Sequence, residues 1–265
     1  RRTLPRRVMC APEDVDSSGA LAWAEAIPRA PNGRMRAWLD VEADAAAGVP
    51  RSMLWTASLV LLRHLEAEHA PGHWRGKRVL ELGAGMGHLS VGLSRLGATV
   101  DATEAGGSNS TGDGLAALAA WSRRLLAERD GGGVAVGDDG RLSAGLAAHG
   151  GTLCTRELWW GSGDGLSRDF EEGYDVVVLS ELVFEEELHG ALVDTLGRAL
   201  QPGAVAYCVF CDRPFSQLFF VELADAEGPP YEVEAVEPRE LLGMDTEHEE
   251  LHLHRFTRPP KATTA

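Results

Sequence analysis

Apolar residues along this chain follow two rhythms, and the change between them marks its organisation. Between Ser52 and Leu65 they recur at helical spacing, and Pro71-Gly72 closes that segment. A shorter helix is expected earlier, from Arg34 to Ala47, stopped by Gly48 and Pro50. The pattern then shortens. Lys77-Arg-Val-Leu-Glu-Leu82 reads as a strand, Gly83-Ala-Gly-Met-Gly87 as a glycine turn, and His88 to Leu96 as a helix closed by Gly97. Ala98 to Thr103 reads as a second strand ending in Glu104. Strand, glycine turn, helix, strand is a βαβ unit, and it implies a parallel sheet.

The rest of the chain continues the alternation. Residues 106–112 read as a loop, Asp113 to Arg129 as a helix, and Thr152 to Glu157 as a third strand. Tyr174 to Ser180 is β-branched and almost wholly apolar, as a central strand should be. A helix over Glu186–Leu200, ended by Pro202-Gly203, leads to a fifth strand over Ala204–Cys211. A helix from Pro214 to Ala224 and strands at Tyr231–Val236 and Leu251–Thr257 complete the pattern. In the last strand Leu251, Leu253 and Phe256 oppose His252, His254 and Arg255, with one slip in the alternation. The expected fold is therefore α/β and Rossmann-like, a seven-strand, mostly parallel sheet with an antiparallel edge. One domain over 33–257 is expected, carrying a flexible Gly/Ala/Asp-rich insertion at 130–151. A loosely ordered arm (1–32) and a disordered tail (258–265) flank it.

Composition narrows the function. Lys+Arg number 25 against 40 Asp+Glu, a net charge of −15, which lacks the basic footprint that nucleic-acid binding needs. That balance serves solubility first, and it would also suit a basic partner. No run of 18 apolar residues suggests a membrane span. Cys10, Cys154, Cys208 and Cys211 are too few and scattered for a disulfide scaffold, so a reducing compartment, cytoplasmic or also nuclear, is expected. Cys208 and Cys211 form a C-x-x-C inside an apolar run, without the second pair a zinc site needs, and no metal is expected. His248, His252 and His254 read as solvated residues around an edge strand.

The glycine turn carries the chemistry. Glu81-Leu-Gly-Ala-Gly-Met-Gly87 places Gly83 and Gly85 as a dinucleotide fingerprint would, but its third glycine position is His88. Glu81 would repel a pyrophosphate and attract an ammonium, which favours S-adenosyl-L-methionine over NAD. Glu104, about 20 residues past the turn, suits the hydroxyls of an adenosine ribose.

With these features the chain resembles the seven-strand protein lysine methyltransferases, the methyltransferase-like group that modifies chaperones, elongation factors and calmodulin and includes a histidine-methylating relative. The resemblance covers about residues 52–212. It rests on the Trp-led segment Leu54–Leu65, on Gly76–Gly87 with Gly97–Glu104, on Arg156-Glu-Leu-Trp-Trp-Gly161, and on Tyr174–Phe184 at the place of the family's Asp-x-x-Tyr motif. It implies that Trp55 walls the cofactor near its methionine end and that Glu81, Gly83, Ala84 and Gly85 hold the methionine part. Glu104 would hold the ribose, Trp160 would lie beside the adenine, and Ser180 would contribute backbone. Glu181 and Phe184, as catalytic residues, would face the nucleophile. Glu replaces the family's usual Asp at 181 and Phe its usual Tyr at 184. The histidine-methylating relative has the former and some lysine-specific members the latter, so lysine against histidine stays open. The helix after Glu104 lacks the family's Asn-rich segment.

Methyl transfer needs a nucleophile with a free lone pair, and a lysine ammonium, with an ordinary pKa of about 10.4, must first lose a proton. Glu181 can orient the amine, and Phe184 offers a π face to a cation. Alternatively Glu181 is only an acid at a helix start, and Phe184 and Trp55 only core residues. The leading expectation is a monomeric methyltransferase acting on a lysine of a protein substrate. A protein-histidine methyltransferase, a small-molecule methyltransferase and a non-catalytic binding module of the same fold are the alternatives.

Overall fold

The computed structural model describes residues 56–105, 108–109, 112–129, 135–136, 142–143, 151–161, 173–211, 213–226, 231–236 and 251–258. The expected arm, the helix over 34–47, Trp55, His248 and nearly all of the expected tail lie outside the described residues, as does most of 130–151.

In chain order the elements are α1 (Thr56–Glu68), β1 (Arg78–Leu82), α2 (His88–Leu96), β2 (Thr99–Glu104), a hairpin of β3 (Ser108–Asn109) and β4 (Gly112–Asp113), and α3 (Gly114–Arg129). Then come the short β5 (Ala135–Val136) and β6 (Leu142–Ser143), β7 (Thr152–Glu157), β8 (Tyr174–Ser180), and a 3-10 turn at Glu186–Leu188 leading into α4 (His189–Ala199). The chain continues through β9 (Leu200–Cys211), α5 (Leu218–Asp225), β10 (Glu232–Val236) and β11 (Leu251–Thr257).

One sheet in the order β10-β11-β9-β8-β1-β2-β7-β6-β5 organises the fold. The central five strands, β9, β8, β1, β2 and β7, run parallel; β11 and β10 close one side antiparallel, and the two-residue β6 and β5 close the other. The seven longer strands thus form the expected Rossmann-like α/β sheet with its antiparallel edge. The chain moves from β1 outward to β2 and β7, then returns to β8 on the other side of β1. That reversal is a topological switch point, and such sheets bind ligands outside the C-terminal ends of the strands there.

Both faces are packed. Leu61, Leu62 and Leu65 of α1 and Leu89 and Leu93 of α2 cover Val79, Val100, Val178 and Val209. Leu192 and Leu196 of α4 with Phe219 and Leu223 of α5 cover Leu80, Leu179, Cys208 and Phe210 on the other face. Fully burying each such side chain contributes about 1.5–3 kcal/mol. Cys154 and Cys208 are buried free thiols, and burial pushes the Cys208 thiol well above its usual range.

Three expectations are corrected. Pro202-Gly203 does not precede the fifth strand but lies inside it: β9 begins at Leu200, and its pairing with β8 jumps from Tyr174↔Leu200 to Val176↔Val205. The extra residues bulge outward, where the bond from Gly203 N–H to the Arg258 carbonyl (2.7 Å) holds them. The helix expected from Glu186 starts as the 3-10 turn, and the one expected from Pro214 starts at Leu218 after a turn. Finally, β11 is not an edge strand, since it lies between β10 and β9. Its alternation has no slip: pairing with β9 is continuous from Leu251↔Cys211 to Thr257↔Val205. Phe256 joins the α4/α5 face with His252 and His254, which stack at 5.4 and 5.7 Å on Phe210. Burial, aided by His252, pushes His254 down to about 4, so it is neutral at ordinary pH rather than a solvated cation.

Candidate active site

The C-terminal ends of β1, β2 and β8 meet at the switch point, and most of the expected site residues lie there. Glu81 sits on β1 facing α2, 2% exposed. The Ser90 hydroxyl on α2 donates to its carboxylate, and the Thr103 hydroxyl donates to its carbonyl at 2.8 Å. Among the described residues no cationic side chain pairs with Glu81. Burial raises its carboxyl to about 8; the Ser90 bonds oppose that rise, and the Glu104 carboxylate adds to it.

The glycine turn leaves β1 under the control of β2. Ala84 N–H donates to the Thr103 carbonyl (2.8 Å), and Gly85 N–H donates to Glu104 Oε2 (2.8 Å). Ala105 N–H donates to Glu104 Oε1 at 3.2 Å, so the chain's own amides fix both oxygens of this half-buried carboxylate. Gly83 and Gly85 take left-handed backbone, φ 58° and 55°. A Cβ on Gly83 would lie 2.5 Å from Leu182, whereas one on Gly85 would meet nothing within 4 Å. The turn is thus packed against β8's exit loop on one side and open on the other.

The wall beyond β2 is built from β7. Leu158 N–H donates to the Glu104 carbonyl (3.0 Å), drawing the Leu158–Gly161 turn to the end of β2. Trp160 is half-buried against the α4/α5 core, while Trp159 is 53% exposed with its indole N–H on Glu157 (2.8 Å). Gly161 N–H donates to the Thr195 hydroxyl (3.0 Å), tying that turn to α4. On the other side, the Ser58 hydroxyl of α1 donates to Ser180 Oγ at 2.9 Å, which brings the start of α1 to the end of β8.

Glu181 follows β8 with φ 60°, a left-handed conformation that costs a non-glycine residue about 1–2 kcal/mol. Such strain concentrates at functional sites. The bend, fixed by the bond from Glu181 N–H to the Val209 carbonyl (2.8 Å), turns the carboxylate toward the end of β9. There Glu181 Oε1 accepts from Cys211 N–H (3.0 Å) and Oε2 pairs with Arg213 Nη2 (3.0 Å). Burial raises the Glu181 carboxyl to about 7 although Arg213 and the Cys211 amide oppose the rise. The Arg213 guanidinium also lies over the Phe184 ring, 5.3 Å from its centroid.

The structure therefore brings together Glu81, Gly83, Ala84, Gly85 and Glu104 as one cradle, with Trp160 and Ser180 at its flanks, and sets Glu181 and Phe184 around Arg213 as a second cluster. Trp55 lies outside the described residues. Ser90, Thr103, Ser58 and Arg213 were not singled out from the sequence. Arg213 follows a strand's C-terminal end, but nothing in the residue pattern around it marks a role. A cavity of about 280 Å³ lined by His69, His73, Lys77 and Arg255 lies at the opposite, N-terminal edge of the strands and belongs to neither cluster.

No protein family profile matches the chain, and no curated protein matches it. Solved structures do. A 16S rRNA methyltransferase of T. Thermophilus, in complex with AdoMet and guanosine, is 22% identical over 77% of this chain and 43% of its own length, TM-score 0.46. The O-methyltransferase TomG of Streptomyces achromogenes, in complex with SAM, is 14% identical over 92% of this chain and 96% of that one, TM-score 0.49. An O-methyltransferase of Bacillus cereus, in complex with SAH, is 15% identical over 85% and 91%, TM-score 0.47. This chain spans less than half the length of the first. No helix among the described residues is long and apolar enough to cross a membrane.

Proposed function

We propose that the chain is an S-adenosylmethionine-dependent methyltransferase that acts on a lysine side chain of a protein substrate. The observation that carries the cofactor is Glu81, a buried carboxyl with a hydroxyl partner but no cation among the described residues, beside a glycine turn open over Gly85. Two carboxylates at one turn fit an ammonium and a ribose, and oppose a phosphate. Glu81, Gly83, Ala84 and Gly85 would hold the methionine part, Glu104 the ribose, Trp160 the adenine side and Trp55 the methionine-end wall, while Ser180 would contribute backbone at the strand end. When bound, the cofactor supplies a sulfonium methyl whose C–S electron pair stays with sulfur as the nucleophile's lone pair forms the new bond.

The residues at the end of β8 carry the substrate side of the reading. Glu181 accepts a hydrogen bond from the incoming ammonium and takes its proton, for which a carboxyl at about 7 is well matched near neutral pH. The Phe184 ring, 44% exposed, presents its π face to the cation. Glu185, Glu186 and Glu187 are exposed beside it, and with the −15 net charge they suit a basic segment.

Labelled methyl from S-adenosylmethionine is expected to enter a discrete protein band of a cell lysate with the wild type and not with Glu181→Ala. Hydrolysis of that band should yield methyl-lysine; methyl-histidine would redirect the substrate, and absence of protein label despite cofactor binding would defeat the protein-substrate reading. Gly85→Ala should stay folded, its left-handed backbone costing about 1–2 kcal/mol. Its Cβ would occupy the open side of the turn, so S-adenosylhomocysteine should bind at least about tenfold more weakly by calorimetry. Unchanged affinity would place the cofactor elsewhere.

A further inference from the structure

We propose that Arg213 is a built-in stand-in for the substrate's cationic side chain, filling a cation site formed by Glu181 and Phe184 until the substrate displaces it. The inference rests on the lysine reading above and adds what governs access to the site.

A carboxylate edge and an aromatic face are the two surfaces an alkylammonium prefers. Both are present, and one guanidinium covers both: Arg213 Nη2 is 3.0 Å from Glu181 Oε2, and its Cζ is 5.3 Å from the Phe184 centroid. The carboxylate does not depend on Arg213 for its position. Its left-handed backbone, the Cys211 amide at 3.0 Å and its burial (3% exposed) already fix it. The guanidinium is the movable member. Arg213 lies in the turn after β9, its side chain is 27% exposed, and its backbone N–H is held separately by the Ser216 hydroxyl (3.3 Å). With Arg213 in place, Glu181 Oε2 already faces a cation; an incoming ammonium reaches that oxygen only when the guanidinium swings out. The exposed Glu185, Glu186 and Glu187 next to Phe184 offer the displaced charge a destination.

The pairing also explains two features that packing does not. Phe184 keeps 44% of its surface in water beside a buried carboxylate, and Phe215, two residues past Arg213, holds φ 75° while 60% exposed. An aromatic left open and a strained turn next to it suit a cover that comes and goes. Arginine serves as the cover because its guanidinium stays charged opposite the carboxylate, through the single Nη2–Oε2 contact, without offering a nucleophilic nitrogen at neutral pH.

The experiment uses the full chain and n-butylammonium, which has the charge and carbon count of a lysine side chain. In Arg213→Ala it should bind at least about tenfold tighter than in the wild type, followed by calorimetry at pH 9, above the value of about 7 that Glu181 holds beside Arg213 and where the probe is still charged. Binding should vanish in Arg213→Ala/Glu181→Gln, and n-butanol, with a similar shape and no charge, should not bind. If Arg213→Ala does not fold, Arg213→Gln serves with the same expectation. Equal affinity in wild type and variant, or binding that survives Glu181→Gln, overturns the proposal. Neither cofactor nor methyl transfer enters this measurement. Failed transfer with intact amine binding therefore sinks only the enzymatic reading, and transfer without the affinity difference sinks only this one.

Discussion

Glu81→Gln is expected to stabilise the free protein in alkaline solution while removing its affinity for the cofactor. The folded carboxyl sits at about 8 and the unfolded one at about 4.3. Between those values the folded state binds more protons than the unfolded state, so stability falls as pH rises through that window and the loss is complete above about 8. The full span is worth on the order of 5 kcal/mol. Glutamine keeps the length of the side chain and an acceptor for the Ser90 hydroxyl, but never ionises. At pH 9 the variant should melt about 10–20 °C above the wild type, and at pH 4 the two should nearly coincide. S-adenosylhomocysteine, which keeps the α-amino group, should lose at least about thirtyfold in affinity, the lower end for removing one partner of a buried charge pair. Its binding to the wild type should release a proton below pH 8, readable by calorimetry in buffers of different ionisation enthalpy. A melting difference that ignores pH would show that Glu81 does not titrate as its burial demands.

The second large effect lies far from any chemistry. Gly151→Ala should lower the melting temperature by about 6–12 °C, the equivalent of about 3 kcal/mol. A Cβ there would lie 1.8 Å from the Ser94 carbonyl oxygen, 2.8 Å from the Ser94 carbonyl carbon and 2.9 Å from the Ala98 carbonyl oxygen. All three are backbone atoms, which no rotamer change can move. Either α2 must shift or β7 must leave its register, in which Thr152 N–H bonds the Ala98 carbonyl at 3.0 Å. Gly190→Ala is the natural control. Its Cβ would come no closer than 3.5 Å to Glu222, inside α4, and alanine there should stabilise by about 0.5–1 kcal/mol. Equal melting of the two variants would refute the packing argument.

The parts of the fold that were legible in the sequence are those whose signal is local. Val79, Leu80 and Leu82 followed by three glycines in five residues could hardly form anything but a strand and a turn, and Gly97 ends α2 with its N–H on the Ser94 carbonyl, as expected. Glu81 and Glu104 could be placed because both sit on strands flanking that turn. The start of β9 was not legible, because Pro202-Gly203 normally stops an element; here the bulge absorbs it on the strand's outer flank. The environment of β11 was misread because sequence alternation cannot say which neighbours a strand has. Insertion between β10 and β9 paired both of its flanks and set His252 and His254 beside Phe210 as stacking partners. Arg213 was invisible for a different reason. Its role follows from the left-handed turn at Glu181, and no residue type in that stretch announces such a turn, since glutamate rarely adopts it.

The order of strands across the sheet also fixes an order in time. β9, a twelve-residue strand whose second half is entirely buried, has its outer flank paired only by β11, which begins 40 residues later in the chain at Leu251. While the polypeptide is being synthesised, everything up to Val236 emerges with that flank open, a row of unpaired amides and carbonyls between Val205, Tyr207 and Val209. β10 cannot cover it, because its own partner in the finished sheet is β11. The nascent chain thus carries a long apolar edge that β11 closes in the finished sheet, and during that interval the edge is open to edge-to-edge association.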